Sequence, residues 1–516
     1  MADLFQGYIE ELPQLAPFFG ARPSELFAQQ FSAPCHDLKL VEAINSYQEM
    51  IGGRASLAPD DLVIATGQQP GLFTGPLYTV YKAITAIRLA QTLSQRLGVR
   101  CTPVFWNASH DHDIEEAGIA HFLTRRREVL PIEYPEQSSV RGMPMYRVPL
   151  PESLHDSVRV AAEETNGCEN KDEMVGVLHQ TLEESSSLAE WFARLMARLF
   201  RETPLVIFDP TLLVVRKKVV TLFEKEIANP TVLSRLVTEA GDKLRSLGFS
   251  AQIKKAEKEC SFFLERNGFR RKVIFEKDEF FLPEDGERVS LATMKEWLGK
   301  SPESFSENVV LRPIAQQVLL RPVAYVAGPG EVAYWAQLRD VFRWHEVDMP
   351  IVYPRARCVL MTTKEKQILE RYGLTLPDLE KPLETLIDLV MAKQNPSGDM
   401  NAFKTQRERL EDALEQFQRN MQTMKGKMPE MTRAFLEQVR HGLDRLEKAV
   451  VRGDRDALQT VENQIRRLCT AMWPMKKPQE RVYTVFSFLF EHGWELIPRL
   501  IHEIDERRFT VHEVEL

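Results

Sequence analysis

Residues 62–106, LVIATGQQPGLFTGPLYTVYKAITAIRLAQTLSQRLGVRCTPVFW, decide the fold. Leu62-Val63-Ile64-Ala65 reads as a short buried strand, and Thr66-Gly67-Gln68-Gln69-Pro70-Gly71 is rich in turn formers. A helix is expected from near Thr74, with Thr74 as its cap and Pro76 in the first turn, where no backbone donor is needed. Leu77, Val80, Tyr81, Ile84, Ile87 and Leu89 give that helix a broad apolar face, and Gly98 ends it. Thr102 to Trp106 is the second strand. Strand, loop, helix, strand predicts an α/β chain with a parallel, doubly wound sheet.

Outward from this unit the pattern is interrupted twice. Residues from about 120 to 200 carry short strands and polar helices that read as an insertion, before Pro204 to Asp209 resumes a buried strand. Residues 250–312 form a second mixed segment, with Cys260 to Leu264 and Lys272 to Phe275 as meander strands. Pro322 to Ala327 is another core strand, leading through Gly328-Pro329-Gly330 into a helix expected from Glu331 to about Trp344. Pro350 to Tyr353 is the last core strand. The final third changes character. Phe403, Leu410, Leu414, Phe417, Met421 and Met424 recur at steps of three and four. The pattern restarts after Pro429 as Phe435, Val439, Leu443, Leu446 and Val450, and after Gly453 as Leu458, Val461, Ile465, Leu468 and Met472. This is the seam of a helical hairpin or coiled coil, with a turn expected at Gly453 and Asp454. Such a hairpin buries little apolar surface by itself, so homodimerisation through it is expected, with a bundle on its own chain as the alternative.

Three turns carry candidate chemistry. In GQQPGLFTGPLYTVYK, from Gly67 to Lys82, Gly67, Gly71 and Gly75 let backbone approach a ligand, and the helix start favours an anion. The segment is either a phosphate or carboxylate site or a tight structural turn; it is neither a Walker loop nor a GxGxxG fingerprint. Ser109-His110-Asp111-His112-Asp113 follows the second strand, at the sheet edge where open α/β folds bind ligands. Imidazole beside carboxylate suits a general base, although the same residues also suit a solvated helix cap. In YVAGPGEVAYW, from Tyr325 to Trp335, Glu331 on the first helical turn can meet an ammonium or simply the helix dipole. Arg312, Arg321, Arg355 and Arg357 lie near strand ends and can meet phosphates or carboxylates. Three turns at one edge predict one pocket for an anionic, nucleotide-like ligand.

At these residues the chain resembles the cysteine-adding enzyme family of bacillithiol biosynthesis. The resemblance spans essentially the whole sequence: GQQPGLFTGPLYTVYKAI from Gly67, PVFWNASHDHDIEE from Pro103, VAYVAGPGEVAYWAQL from Val323, MPIVYPR to Arg355 and QERVYTVFSFL to Leu489. It implies a Rossmann-like core related to class I aminoacyl-tRNA synthetases, two connecting insertions and a dimeric C-terminal coiled coil. The boundaries expected are core with N-terminal segment over 1–120, first insertion 121–200, core 201–250, second insertion 251–312 and core 313–360. A helical arm follows over 361–475, then a segment at 476–516 returning to the core. The reaction implied is a ligation of cysteine to the amine of glucosaminyl-malate, through a carboxyl activated by ATP. The resemblance implies ATP or ADP held by Gly67, Gln68, Gln69, Gly71, Thr74, Gly75, Tyr78, Lys82, Gly328 and Gly330. It casts His110, His112, Asp113 and Glu331 as catalytic, and Tyr325, Tyr334, Trp335, Arg312 and Arg355 as substrate-binding, with no tightly bound metal. The synthetase signatures HxGH and KMSKS are absent, Thr363-Lys364-Glu365-Lys366 standing at the second position. An amide ligase for another amine or amino acid, or a non-catalytic coiled-coil scaffold, are the competing readings.

Composition fits a soluble, intracellular, multidomain protein. The 516 residues exceed one ordinary core, so two or more domains are expected, and 44% apolar with 27% charged residues is a globular balance. A net charge of −8 gives no support to nucleic-acid or anionic-membrane binding. Neither a secretory signal nor a bilayer-spanning run is expected. Cys35, Cys101, Cys168, Cys260, Cys358 and Cys469 include no CxxC pair, which argues against a disulfide framework or zinc site and fits a reducing cytoplasm.

Overall fold

The computed structural model describes residues 3–165, 167–169, 171–254, 258–394, 397–423, 425 and 427–516, leaving aside the side chains of 392, 394, 397–400 and 449–457. The chain divides into two compact units. The larger holds the residues up to Val359 together with Gln479–Val514, and the smaller holds Leu360–Pro478 with Glu515–Leu516.

In the larger unit, β1 (Leu62–Gln68) leads through a short 3-10 turn, Leu72–Thr74, into α1 (Tyr78–Leu97), which returns the chain to β2 (Cys101–Asn107). A hairpin of β3 (Ile119–Leu123) and β4 (Val129–Glu133) follows, then helices, then β5 (Val206–Phe208). A second sheet is built from β6 (Glu259–Arg266), β7 (Phe269–Glu276), β8 (Glu279–Leu282), β9 (Glu287–Val289) and β10 (Phe305–Glu307). The chain then re-enters the first sheet as β11 (Ala324–Ala327), turns through α2 (Pro329–Trp335) and adds β12 (Ile351–Pro354).

The first sheet is parallel throughout, in the order β12-β11-β1-β2-β5. From β1 the chain builds outward to β2 and β5, then crosses to the other side for β11 and β12. The order therefore reverses between β1 and β11, and a ligand crevice is expected beyond the carboxyl ends of those two strands. Strand alternation explains why both faces are apolar. Val63 and Ala65 pack with Val104, Trp106 and Tyr325 in one core, whereas Leu62 and Ile64 pack with Ala86, Leu89 and Tyr353 in another. Each fully buried aliphatic side chain contributes roughly 1.5–3 kcal/mol, so a sheet covered on both faces is the most firmly fixed part of the unit. The second sheet is antiparallel, in the order β10-β6-β7-β8-β9, with Glu307 opposite Phe262 and Arg270 opposite Glu265.

Two helix boundaries differ from the sequence reading. Thr74 is not the cap of α1. Phe73 and Thr74 have φ of 50° and 68°, Gly75 follows at 69°, and the helix waits until Leu77. Packing overrides the local signal here: the buried Phe73 ring sits 5.1 Å from Phe122 and 5.3 Å from Trp191, and the Thr74 hydroxyl is left without a hydrogen bond. The helix expected from Glu331 to Trp344 breaks after Trp335 and resumes at Arg339. Gln337 sits in the break, where its side chain accepts from the Ile253 amide at 2.7 Å and donates to the Ile253 and Val237 carbonyls.

The smaller unit is helical. Helix α3 (Ser397–Met421) and α4 (Met428–Met472) run antiparallel, as the pairings of Arg407 with Asp444 and Glu447, and of Phe417 with Phe435, require. Pro429 stands in the first turn of α4, which needs no donor there. The turn expected at Gly453 and Asp454 does not form; both lie inside the 45-residue α4, and the reversal falls between Met421 and Met428. A mid-helix glycine costs about 1 kcal/mol, too little to break a helix otherwise made of good formers. The buried seam runs through Leu414, Leu436, Leu443, Val461, Ile465 and Leu468, while Leu446 faces outward and Phe435, half exposed, lies edge-on to Phe417. Met424 lies outside the described residues. Among the described residues, no helix is long and apolar enough to cross a membrane.

Candidate active site

A cleft of about 480 Å³ opens where the strand order reverses. Gly67, Gln68 and Gln69 from the end of β1, Tyr325 from β11, and Glu331 and Tyr334 from α2 line it. So do Trp106 on β2 and His110, Asp111 and His112 after it, together with Phe263, Arg270 and Glu307 from the second sheet. The close approach of β1 to β2 depends on Gly67, where an added Cβ would meet the Trp106 carbonyl oxygen at 2.7 Å and its Cβ at 2.8 Å.

One cluster is centred on Glu331. Its carboxylate pairs with the buried Lys82 ammonium and accepts from the Tyr325 hydroxyl at 2.7 Å and the Gly328 amide at 2.8 Å. Burial alone would raise this carboxyl, but Lys82 and the two other donors hold it below the usual range, so it is ionised. Lys82 is anchored from behind, donating to the Gly67 carbonyl and the Gln68 side-chain oxygen at 2.8 Å each. Burial, reinforced by the Glu331 charge, keeps the Tyr325 hydroxyl well above its ordinary pKa, and therefore a donor. Arg312 donates to the Tyr334 hydroxyl at 2.9 Å and to Gln316 at 3.2 Å, and its guanidinium lies over the Tyr325 ring.

The second cluster joins the loop after β2 to the inserted sheet. His110 Nδ1 lies 3.4 Å from Glu307 Oε2, with both side chains under a tenth exposed. Glu307 is pushed up by burial but pulled further down by the His110 and Arg270 charges, to about 2. Arg270 donates to Ser306 Oγ at 3.0 Å, to the Glu307 carbonyl and to His112 Nδ1 at 3.2 Å, and stacks over Phe263. Burial and the Arg270 charge lower the His112 pKa, against the opposing pull of Asp111 and Asp113. Ser109 is engaged elsewhere: it donates to Asp209 at 2.8 Å, and Asn107 and Thr211 converge on the same carboxylate.

The remaining predicted residues lie outside the cleft lining. Gly71, Thr74 and Gly75 form a buried turn, with Gly71 packed so closely that its added Cβ would lie 2.9 Å from the Gly75 Cα. The start of α1 is occupied from the C-terminal side: Leu77 donates its amide to the Tyr483 carbonyl, and Thr484 donates to the Phe73 carbonyl. That helix end does not fit a phosphate. Tyr78 meets Gln68 at 3.4 Å behind the cleft. Asp113 caps the short helix Ile114–Ala117, accepting from the Glu116 amide. Arg355 donates to both oxygens of Glu480 at 2.9 and 2.7 Å, so its fork is spent within the scaffold. Trp335 packs on Tyr325 in the core, and Gly328 and Gly330 shape the turn into α2 without reaching the cleft. Glu307 and Arg270 were not legible as site residues. Each reaches the cleft through strand pairing, with no local motif to mark it. Among the described residues, no group of three His, Cys, Asp or Glu side chains is placed to hold a metal ion.

The model of the bacillithiol biosynthesis BshC N-terminal Rossmann-like domain matches residues 1–356, and that of the BshC C-terminal coiled-coil domain matches 358–515. A relative from Salinibacter ruber, named "Putative cysteine ligase BshC", is 32% identical over 86% of this chain and 81% of its own. A relative of the same name from Desulforamulus reducens is 27% identical over 96% and 95%. A solved "putative arginyl t-RNA synthetase" from Campylobacter jejuni covers 89% of this chain and 98% of its own at 12% identity, with a TM-score of 0.22. A likeness that low carries no argument, and the Rossmann-like assignment rests on the strand order and the family match.

Proposed function

The chain belongs to the BshC family of bacillithiol biosynthesis, and from that premise we propose that it is the ligase joining the carboxyl of cysteine to the amine of glucosaminyl-malate. The observation that carries this reading is that one cleft at the switch point gathers both signs of charge. Arg312 and Arg270 stand there with Glu331, Glu307 and Asp111. Both proposed substrates carry an ammonium and at least one carboxylate, so a site of one sign would serve neither. Arg312 is assigned to a malate carboxylate, which a planar guanidinium binds in a pair of hydrogen bonds, and Arg270 to holding His112 and the inserted sheet. Glu331, with Tyr325 beside it, is assigned to the cysteine ammonium. Arg355 and Trp335 are assigned to the scaffold.

Condensing a carboxylate with an ammonium in water is uphill, so the carboxyl must first be activated, and we assign that role to ATP. The start of α1 does not suit its phosphates, for the reason given above. The group that does is Lys254 on the cleft, with Gly67, Gln68 and Gln69 as the adjacent backbone. When bound, ATP supplies the energy that makes the cysteine carboxyl reactive. Absence of disulfides among the six cysteines supports placing the reaction in the cytoplasm. Exposure of Met431, Phe435 and Leu446 on α4 supports a homodimer through the coiled coil.

The test is deletion of the gene in its host, followed by mass spectrometry of small thiols and their precursors. Loss of bacillithiol with accumulation of glucosaminyl-malate is expected. Unchanged bacillithiol in a host with a single copy would remove the assignment.

A further inference from the structure

We propose that the two cleft histidines hold opposite tautomers and so take opposite roles. Glu307 keeps the His110 proton on Nδ1 and leaves Nε2 to accept a proton, whereas Arg270 claims the Nδ1 lone pair of His112 and leaves it an Nε2–H donor. The inference deepens the ligase reading, on which its catalytic half rests.

The geometry is local and independent of any substrate. The Arg270 charge favours the ionised, acceptor-only form of Glu307, so the imidazole nitrogen 3.4 Å from it must carry hydrogen for the contact to be attractive. In the neutral tautomer that satisfies this contact, the lone pair lies on Nε2. Neither nitrogen of His110 has a well-formed hydrogen bond, although the side chain is 7% exposed and lines the cleft. A buried polar nitrogen left so costs about 1–3 kcal/mol, which a substrate N–H reaching Nε2 would recover. His112 faces the reverse situation. A guanidinium has five donors and no acceptor, so the Arg270 nitrogen 3.2 Å from His112 Nδ1 requires a bare lone pair there. The proton of neutral His112 must then sit on Nε2, where it can only donate. Burial and Arg270 lower the His112 pKa and favour that neutral form. Arg270 links the two settings, because its other bonds go to Ser306 and to the carbonyl of Glu307 itself.

Placed in the reaction, the substrate enters as the free amine, having left one proton to solvent. As its lone pair forms the C–N bond to the activated cysteine carbonyl, one N–H proton passes to His110 Nε2. The activating group leaves the carbonyl carbon with the electrons of its bond, and His112 Nε2–H donates a hydrogen bond to an oxygen of the anionic reactants. Glu307 touches neither reactant; it is a positioning residue, as the carboxylate behind the histidine is in hydrolase triads.

Histidine-selective 15N NMR on the full chain tests the tautomers without requiring activity. The 11 histidines allow assignment of the two signals with His110→Gln and His112→Gln. The expected result is protonated Nδ1 with bare Nε2 for His110 and the reverse for His112, with loss of the His110 preference in Glu307→Gln. A His110 with its proton on Nε2 in the unaltered chain, or two histidines sharing one tautomer, overturns the proposal. With cysteine, ATP and glucosaminyl-malate, Glu307→Gln should lower kcat by on the order of 10²-fold and leave KM within about threefold. Glu307→Asp should recover part of the loss. Unchanged kcat in Glu307→Gln sinks the proton-transfer role. If the unaltered chain makes no amide from these substrates, the ligase reading fails, and the tautomer measurement still decides the local claim.

Discussion

Replacing Arg355 with methionine should destabilise the larger unit by about 3–4 kcal/mol at pH 7 while leaving the cleft intact. Arg355 and Glu480 are 2% and 5% exposed and meet through two parallel hydrogen bonds. Without the guanidinium, the Cys358 amide at 3.2 Å is the one hydrogen bond left to the Glu480 carboxylate among the described residues. Breaking a buried pair from one side typically costs 3–5 kcal/mol. Adding Glu480→Gln should restore about 2 kcal/mol, because the stranded charge is then gone. Urea unfolding followed by tryptophan fluorescence is the assay, since six of the seven tryptophans lie in the larger unit. A loss under about 1 kcal/mol, accompanied by a raised KM for the amine substrate, would refute this reasoning. Arg355 would then be the substrate-binding residue that its position at a strand end suggests.

Four further outcomes follow from the site and the arm. Asp113→Asn should leave ligase turnover within about twofold and stability nearly unchanged, whereas Asp113→Ala should cost about 0.5–2 kcal/mol as a lost cap, both read by turnover assays and thermal unfolding. Gly67→Ala should cost more than about 2 kcal/mol or prevent soluble expression, because its methyl group meets Trp106 backbone that the sheet holds fixed; a soluble variant of normal stability would show that β1 and β2 can separate. Arg312→Lys should raise KM for glucosaminyl-malate at least about tenfold with little change for cysteine, since a bidentate fork is lost; equal changes for both would remove the assignment. Phe435→Asp together with Leu446→Asp should convert a dimer to a monomer in light scattering, leaving the hairpin helical by circular dichroism.

The sheet and its two crossings were legible because its strands are short apolar runs, those at β1 and β11 ending at Gly67 and Gly328, and because α1 shows a clear apolar face. Leu62–Gln68, Cys101–Asn107 and Ala324–Ala327 form as the pattern predicts, and their carboxyl ends meet in one cleft. What failed were inferences from isolated local signals. Thr74 has the chemistry of a cap, but the buried Phe73 ring fixes a left-handed turn ahead of it. Gly453 has the chemistry of a turn, but a single glycine is outweighed by long helical flanks. Half of the second cluster was illegible for a different reason. Glu307 and Arg270 lie 197 and 160 residues beyond His110, and only the pairing of β10 and β7 with β6 brings them near it. A carboxylate in an amphipathic strand looks like any other until that pairing is known.

The bonds from Tyr483 and Thr484 to the start of α1 have a consequence for how the chain is made. A ribosome releases the residues of the parallel sheet first, yet the segment that closes the turn at Phe73 emerges more than a hundred residues after β12 is complete. At about 5–20 residues per second, that interval lasts roughly 6–25 s. During it the nascent sheet lacks Glu480 opposite Arg355 and a roof over α1, so its final closure is post-poned until the helical hairpin has already been synthesised. The arm is thus a timed delay between the two ends of one core, and a message truncated before Gln479 should yield a chain that chaperones hold and proteases clear.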